Sequence, residues 1–189
     1  MKKENKKEKE IITQEDSKWK KYIKEIIPYI IIFIVVLVIK TYIVTPVVVK
    51  GESMTNTLLE KDIMILNKLS YKFNEIKRFD IVVVNKNNSN IIKRVIGLPG
   101  EKVKIEDNIL YINDKKVDEP YLKKGTETND FSLKEITKEE KIPEGYYFVL
   151  GDHREVSLDS RDLGLIKEDE IVGKASLTIF PFSRFGTKK

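Results

Sequence analysis

The sequence predicts a mainly β protein carried on one N-terminal transmembrane helix: a β-barrel-like core follows the helix, and a smaller β region is inserted into that core. Three observations carry this expectation. Residues 26–45 hold one ionisable group, Lys40, and a helix of that length spans about 30 Å, the thickness of a bilayer's hydrocarbon core. Beyond them the apolar residues fall into short β-branched bursts separated by turn residues, as strands do. The chain has 189 residues, which leaves roughly 130 to 140 after the helix, enough for one hydrophobic core rather than two.

The N-terminal tail, residues 1–25, carries nine lysines against six acids, and its composition predicts a solvated, disordered segment. By the positive-inside rule this tail stays in the cytoplasm, which sends residues 46–189 to the other side as an extracytoplasmic domain. The run IIIFIVVLVI offers no polar face to solvent, as a surface-packed helix would. No small-residue site of the A-x-A kind follows it, so the helix is expected to remain as an uncleaved anchor. Pro28 is expected in the first helical turn and Pro46 as the stop, while Lys40 reaches toward the headgroups.

In the domain the bursts are VVV (47–49), IMIL (63–66), DIVVV (80–84), IIKRVIG (91–97), KVKI, ILYI, YYFVL and IVGKASLTIF. Asp107-Asn108, Asn113-Asp114 and Pro99-Gly100 mark turns between them. Residues 101–117 read as a hairpin, and residues 121–144 as a polar stretch with one short helix near Leu133–Glu140. Together they form the inserted region, about 101–145.

Composition excludes several chemistries. The chain has no cysteine and one histidine, His153, so thiolate metal sites, disulfides, a cysteine nucleophile and a histidine-rich metal centre are ruled out. No cofactor and no metal are expected. From Lys50 onward 25 basic residues face 24 acidic ones, so the domain is nearly neutral and carries no nucleic-acid footprint.

The residues that suggest chemistry are a serine and two possible bases. Ser53, in GESMTNTL just past the apolar run, needs a neighbouring group to take its proton. One candidate is His153, oriented by Asp152 or Asp159. The other is Lys93, which alternation in IIKRVI places on the strand face opposite Ile92 and Arg94. An ordinary lysine is neutral in only about one molecule per thousand at neutral pH, so burial must lower its pKa by roughly 2 to 3 units. The loop GDHREVSLDSRDLG, 151–164, reads either as a surface turn closed by local hydrogen bonds or as a support for the base, with Ser157 orienting it and Asp159 paired to Arg161.

These stretches, taken in order, resemble the bacterial type I signal peptidases, membrane-anchored Ser-Lys proteases that remove signal peptides from exported proteins. GESMTNTL resembles the family's G-x-S-M-x-P-T-L box, RFDIVVV its G-D-I-V-V strand, IIKRVIGLPGE its K-R-V-I-G-L-P-G-D box, and GDHREVSLDSRDLG its G-D-N-R-x-x-S-x-D-S-R-x-x-G box. The resemblance implies a β-barrel core with an inserted β region, Ser53 as nucleophile and Lys93 as general base. It also implies Ser157 as the group orienting the lysine, an Asp159–Arg161 pair, and Asp152 and Arg94 as further supporting residues. The Ser53 N–H would help hold the oxyanion, although Gly51 stands where some members have a contributing serine. The implied partners are exported preproteins and the lipid bilayer. A substrate would bind as an added strand, its small side chains received by Val47, Val49, Leu58, Ile91 and Ile92. The oligomeric state is left open.

Two positions depart from the pattern: Asn56 replaces the proline of the serine box and His153 the asparagine of the last box. Giving up the fixed φ of proline is expected to loosen the turn behind the nucleophile, so that Asn56→Pro would raise cleavage. The alternatives are a specialised or weakly active relative, a membrane-tethered regulator that cuts itself or one partner, and a non-catalytic membrane-anchored peptide-binding or assembly factor.

Overall fold

The computed structural model describes residue 19 and residues 22–188, so most of the tail expected to be cytoplasmic lies outside the described residues. The chain divides into two units between Tyr42 and Ile43.

The first unit is built on α1 (Tyr22–Ile43), 22 residues long and apolar enough to cross a membrane. It starts four residues before the expected position 26 and ends two before position 45, because Tyr22 and Ile23 extend the apolar run and neither Lys24 nor Glu25 breaks a helix. Pro28 therefore lies inside the helix rather than in its first turn, and Trp19 is helical as well. The last turn, Ile39–Ile43, is wound as a π-helix. Pro46 is not the stop: the helix ends at Ile43, and Pro46 falls within a strand, β1 (Val44–Val48). That strand is the end strand of its sheet, where a residue with no N–H to donate is tolerated.

The second unit holds two sheets. The larger runs β1, β2 (Ile63–Asn67), β11 (Ile171–Phe180), β3 (Ile81–Lys86), β4 (Ser89–Gly97), β9 (Tyr146–Leu150) and β10 (Ile166–Lys167), with β12 (Gly186–Thr187) paired to β11. Strand β3 is buried on both faces, which is why its sequence reads as an unbroken apolar run. Ile81 and Val83 join Val49, Met54, Leu58, Met64, Leu66 and Ala175 in one core cluster. Val82 and Val84 join Val95, Tyr147, Val149 and Ile166 in another. A two-residue turn, Asn87-Asn88, with both φ angles positive, returns the chain from β3 to β4.

The inserted region is a four-stranded sheet in the order β7 (Lys115–Val117), β6 (Ile109–Ile112), β5 (Val103–Glu106), β8 (Phe131–Ser132). Asp107-Asn108 and Asn113-Asp114 are its hairpin turns, again with positive φ. The expected short helix is α2 (Leu133–Thr137), started by Ser132 and Glu135, each of whose side chains bonds the other's backbone N–H. The insertion packs on the back of β4 and β9 through Ile96, Val103, Ile105, Leu110, Ile112, Leu133, Ile142, Phe148 and Leu150.

Candidate active site

Ser53 and Lys93 meet. Lys93 Nζ lies 2.6 Å from Ser53 Oγ, bridging the loop after β1 and the middle of β4. Along β4, Ile91 and Val95 pack in one core cluster and Ile92 in another, so Lys93 faces away from Arg94, as alternation predicts. Only 2 % of Lys93 is exposed. Burial drives its amine down to about 8, against the opposing pull of Asp159 and Asp152 and with the help of Arg161. At that value roughly one molecule in five carries a neutral amine near pH 7.4.

His153 is placed differently. Its backbone N–H donates to the Ser53 carbonyl at 3.0 Å, and its ring Nδ1 lies 3.3 Å from the Glu52 carbonyl. The carboxylates that would have to orient it are engaged elsewhere. Asp152 accepts from Arg94 Nε at 2.8 Å, from Arg94 Nη2 at 2.7 Å and from the Thr57 hydroxyl at 2.5 Å. Asp159 accepts from the Gly151 N–H at 3.0 Å and from Arg161 Nε and Nη2, each at 2.9 Å. Of the two bases open to the sequence, the geometry offers Lys93.

The loop 151–164 is fitted tightly to Ser53. A Cβ on Gly151 would come within 2.1 Å of Ser157 Oγ and 2.4 Å of the Ser53 carbonyl oxygen, so only glycine lets the two segments approach this closely. Ser157 Oγ is buried and has no hydrogen-bond partner among the described residues. Beyond Ser157, Asp159 caps the short helix α3 (Ser160–Leu163) by accepting from the Arg161 N–H, and the Ser160 hydroxyl accepts from the Val149 N–H at 2.9 Å. In the segment after Ser53, Asp62 accepts from Arg184 Nη2 at 3.0 Å and from the Leu59 N–H at 3.0 Å.

A groove of about 580 Å³ opens at Ser53, lined by Val47, Val48, Lys50, Val83, Ser89, Asn90, Ile91, Ile92 and Lys93. It lies between two strand edges. β1 pairs only with β2, and the first half of β4 pairs with β3 alone, since its register with β9 begins at Arg94. Of the five residues expected to receive substrate side chains, Val47, Ile91 and Ile92 line the groove. Val49 and Leu58 are instead buried in the core beneath it. Val48, Ser89 and Asn90 were not anticipated, and nothing local in the sequence marks them.

Asn56 corrects an expectation. Its φ is +92°, a region closed to proline, whose ring holds φ near −65°. The turn behind Ser53 is built around asparagine, one of the residues that best tolerates positive φ. Asn56→Pro is therefore expected to lower cleavage, since an incompatible proline costs more than the ~1 kcal/mol it gains by restricting the unfolded chain. Asn56→Gly should hold activity. Cleavage rates of the two variants on one preprotein decide the matter: a proline variant faster than wild type would mean that the turn adopts another backbone in solution.

Known proteins resemble this chain along most of its length. The family model described as signal peptidase, peptidase S26, matches residues 19–180. A signal peptidase I of Bacillus caldolyticus is 43% identical over 166 residues, covering 84% of this chain and 91% of that protein. A signal peptidase IB of Staphylococcus aureus strain N315 is 46% identical over 156 residues, covering 76% of this chain and 82% of that one. A crystal structure of a signal peptidase I from Enterococcus faecalis V583 aligns with a TM-score of 0.50 at 40% identity, covering 53% of this chain and 97% of the other. With the family model matching residues 19–180 and relatives above 40% identity over most of both chains, the chain belongs to the signal peptidase family, peptidase S26.

Proposed function

We propose that this chain is a membrane-anchored serine endopeptidase that removes signal peptides from exported preproteins, with Ser53 as nucleophile and Lys93 as general base. The observation that carries the assignment of roles is the 2.6 Å contact between a serine hydroxyl and a lysine amine lowered to about 8. With the amine neutral, Ser53 donates its proton to Lys93 as Oγ attacks the scissile carbonyl. The resulting ammonium then gives that proton to the departing amine of the mature protein, and the acyl group stays on Ser53. A water attacks the ester and Lys93 takes its proton, then returns it to Ser53 Oγ as the Oγ–acyl bond breaks, and the signal peptide leaves with a new carboxyl group that ionises to solvent. The Ser53 N–H is the donor assigned to the oxyanion. Within the groove a substrate adds as a strand between β1 and the first half of β4, with Val47, Ile91 and Ile92 meeting its small side chains.

The site also favours a particular setting. The lysine excess of the tail supports a cytoplasmic N-terminus and an extracytoplasmic domain. On the domain, Val48, Ile63 and Phe180 lie side by side across β1, β2 and β11. Phe182 and Phe185 follow Phe180 on the chain, both exposed. An exposed apolar face of this kind supports apposition to a bilayer, where a substrate's own apolar segment resides. The test uses the full chain in lipid vesicles with a preprotein, followed by sequencing of the new N-terminus. One cut after a small residue is expected, and protease added outside intact cells stripped of their wall should digest the domain. An uncut preprotein, or a domain reached only after lysis, overturns the reading.

A further inference from the structure

The insertion meets the loop 151–164 through buried charged and aromatic groups rather than through apolar packing alone. Glu119, between β7 and β8, accepts from Arg154 Nη2 at 2.5 Å and from the Tyr121 hydroxyl at 2.5 Å. Arg154, 2 % exposed, also donates to the Thr128 hydroxyl at 3.2 Å. Its Nε donates to the Gly151 carbonyl at 3.0 Å, and its own carbonyl accepts from Arg161 Nη2 at 2.7 Å. The Tyr121 ring does a second job: the Arg94 guanidinium lies 4.0 Å from its centroid, and the Phe79 ring is tilted against it at 5.2 Å between centroids. Arg94 is the residue that grips Asp152.

We infer that Glu119 and Tyr121, both contributed by the insertion, are positioning residues for the Ser53–Lys93 pair: they hold Arg154 and Arg94, and through them the Gly151–Asp152 backbone against the nucleophile loop. This rests on the assignment of Ser53 and Lys93 given above. The path is short at every step. Arg154 fixes the Gly151 carbonyl, Gly151 is wedged against the Ser53 carbonyl and Ser157, and His153 N–H donates to Ser53. On the other branch, Arg94 holds Asp152, which holds Thr57, four residues beyond the nucleophile. Burial and the Glu119 carboxylate push the Tyr121 hydroxyl above its usual range, so it remains a donor. Neither Glu119 nor Tyr121 lines the groove at Ser53, so their effect belongs to the chemical step and not to substrate capture. A displacement of about 1 Å at a reacting group is enough to cost on the order of 10²-fold.

Lys93 supplies a readout that a purely structural role would leave unmoved. The charged groups acting on it are Asp159 and Asp152, which raise its amine, and Arg161, which lowers it. All three ride on the loop that Arg154 anchors. If the loop loses register, the burial that lowers this amine and the three charges acting on it change together, and the rising limb of kcat against pH moves.

The test compares Glu119→Gln, Tyr121→Leu and Tyr121→Phe in the full detergent-solubilised chain, with a peptide spanning a preprotein cleavage site as substrate. Glu119→Gln and Tyr121→Leu are expected to lower kcat about tenfold or more, with KM within about twofold and the limb displaced. Tyr121→Phe keeps the ring beneath Arg94 and should stay within about threefold of wild type. Wild-type kcat in folded Glu119→Gln and Tyr121→Leu would overturn the inference. So would a loss that only tracks the unfolded fraction while the limb stays fixed. Should Tyr121→Leu fail to fold, Glu119→Gln, nearly the same size, decides alone. Ser53→Ala in the same assay separates the two claims: cleavage by that variant would refute the assignment of the pair, whereas neutral insertion variants beside an inactive Ser53→Ala refute only the role of the insertion.

Discussion

Replacing Ser53 or Lys93 by alanine is expected to reduce preprotein cleavage by roughly 10⁴-fold or more, because on the proposed mechanism each change removes an atom that forms or breaks a bond. His153→Asn should keep most of the activity. The His153 ring lies 3.3 Å from a carbonyl of the nucleophile loop, while its bond to Ser53 runs through backbone N–H, which asparagine retains. The pH profile adds a sign. Lys93 is lowered to about 8, and only the neutral amine accepts the serine proton. Activity must then rise with pH, from about one percent of its plateau near pH 6 through half near the lysine's own value. Steady-state rates of the three variants between pH 6 and 10 provide the measurement. An active Lys93→Ala beside an inactive His153→Asn would put the histidine in the lysine's place.

Asp152→Ala is expected to be the most destabilising single change near the site, by about 3–5 kcal/mol. The side chains of Arg94 and Asp152 are 0% and 1% exposed, so removing the carboxylate strands a guanidinium in the interior with only Thr57, the Phe79 carbonyl and the Tyr121 ring beside it. Domains of this size are stable by about 5–15 kcal/mol in total, and a loss of that order should appear directly in thermal unfolding of the detergent-solubilised chain. Lys86 and Glu170 make a useful control. Their pair is of similar length, 2.8 Å, but the side chains are 21% and 24% exposed, and Glu170→Gln should cost no more than about 1 kcal/mol. Equal melting shifts for the two variants would mean that water reaches Arg94 in solution. The double variant Arg94→Met with Asp152→Ala should regain part of the loss, since it leaves no charge behind.

Different physics governs what the sequence disclosed and what it hid. The apolar helix was legible from composition because a bilayer-spanning length is a property of the run as a whole. Its ends were not, since Pro28 and Pro46 can sit in several places and tertiary pairing chose among them: Pro46 lies opposite Ile65 in β1. Ser53 and Lys93 were legible because each sits in a recognisable box, and strand alternation already set Lys93 apart from Arg94. Val49 and Leu58 looked as suitable for a groove as Val47, because a core residue and a pocket wall have the same chemistry. Glu119 and Tyr121 were invisible for another reason. They stand in a polar stretch where charges are ordinary, and only the fold, by laying the insertion against β4 and β9, brings in their partners: Arg154 stands 35 residues after Glu119, and Arg94 27 residues before Tyr121. The positive φ of Asn56 was hidden by the proline expected there, which argues for the opposite sign.

The two unpaired strand edges beside Ser53 carry a hazard as well as a use. Any extended segment offering amide groups at the right spacing can add to an open edge, including the same strand of a second copy, and this is how edge strands come to drive aggregation. The surroundings here are poor for such growth. Pro46 has no N–H to contribute along β1, and Lys50, Ser89 and Asn90 put an ammonium, a hydroxyl and an amide around the opening, all three residues exposed. The length of edge left for pairing is a few residues, enough to hold one short peptide stretch but too little to template an indefinite ladder, so the groove discriminates against crowding by its own kind before any side chain of a visitor is tested.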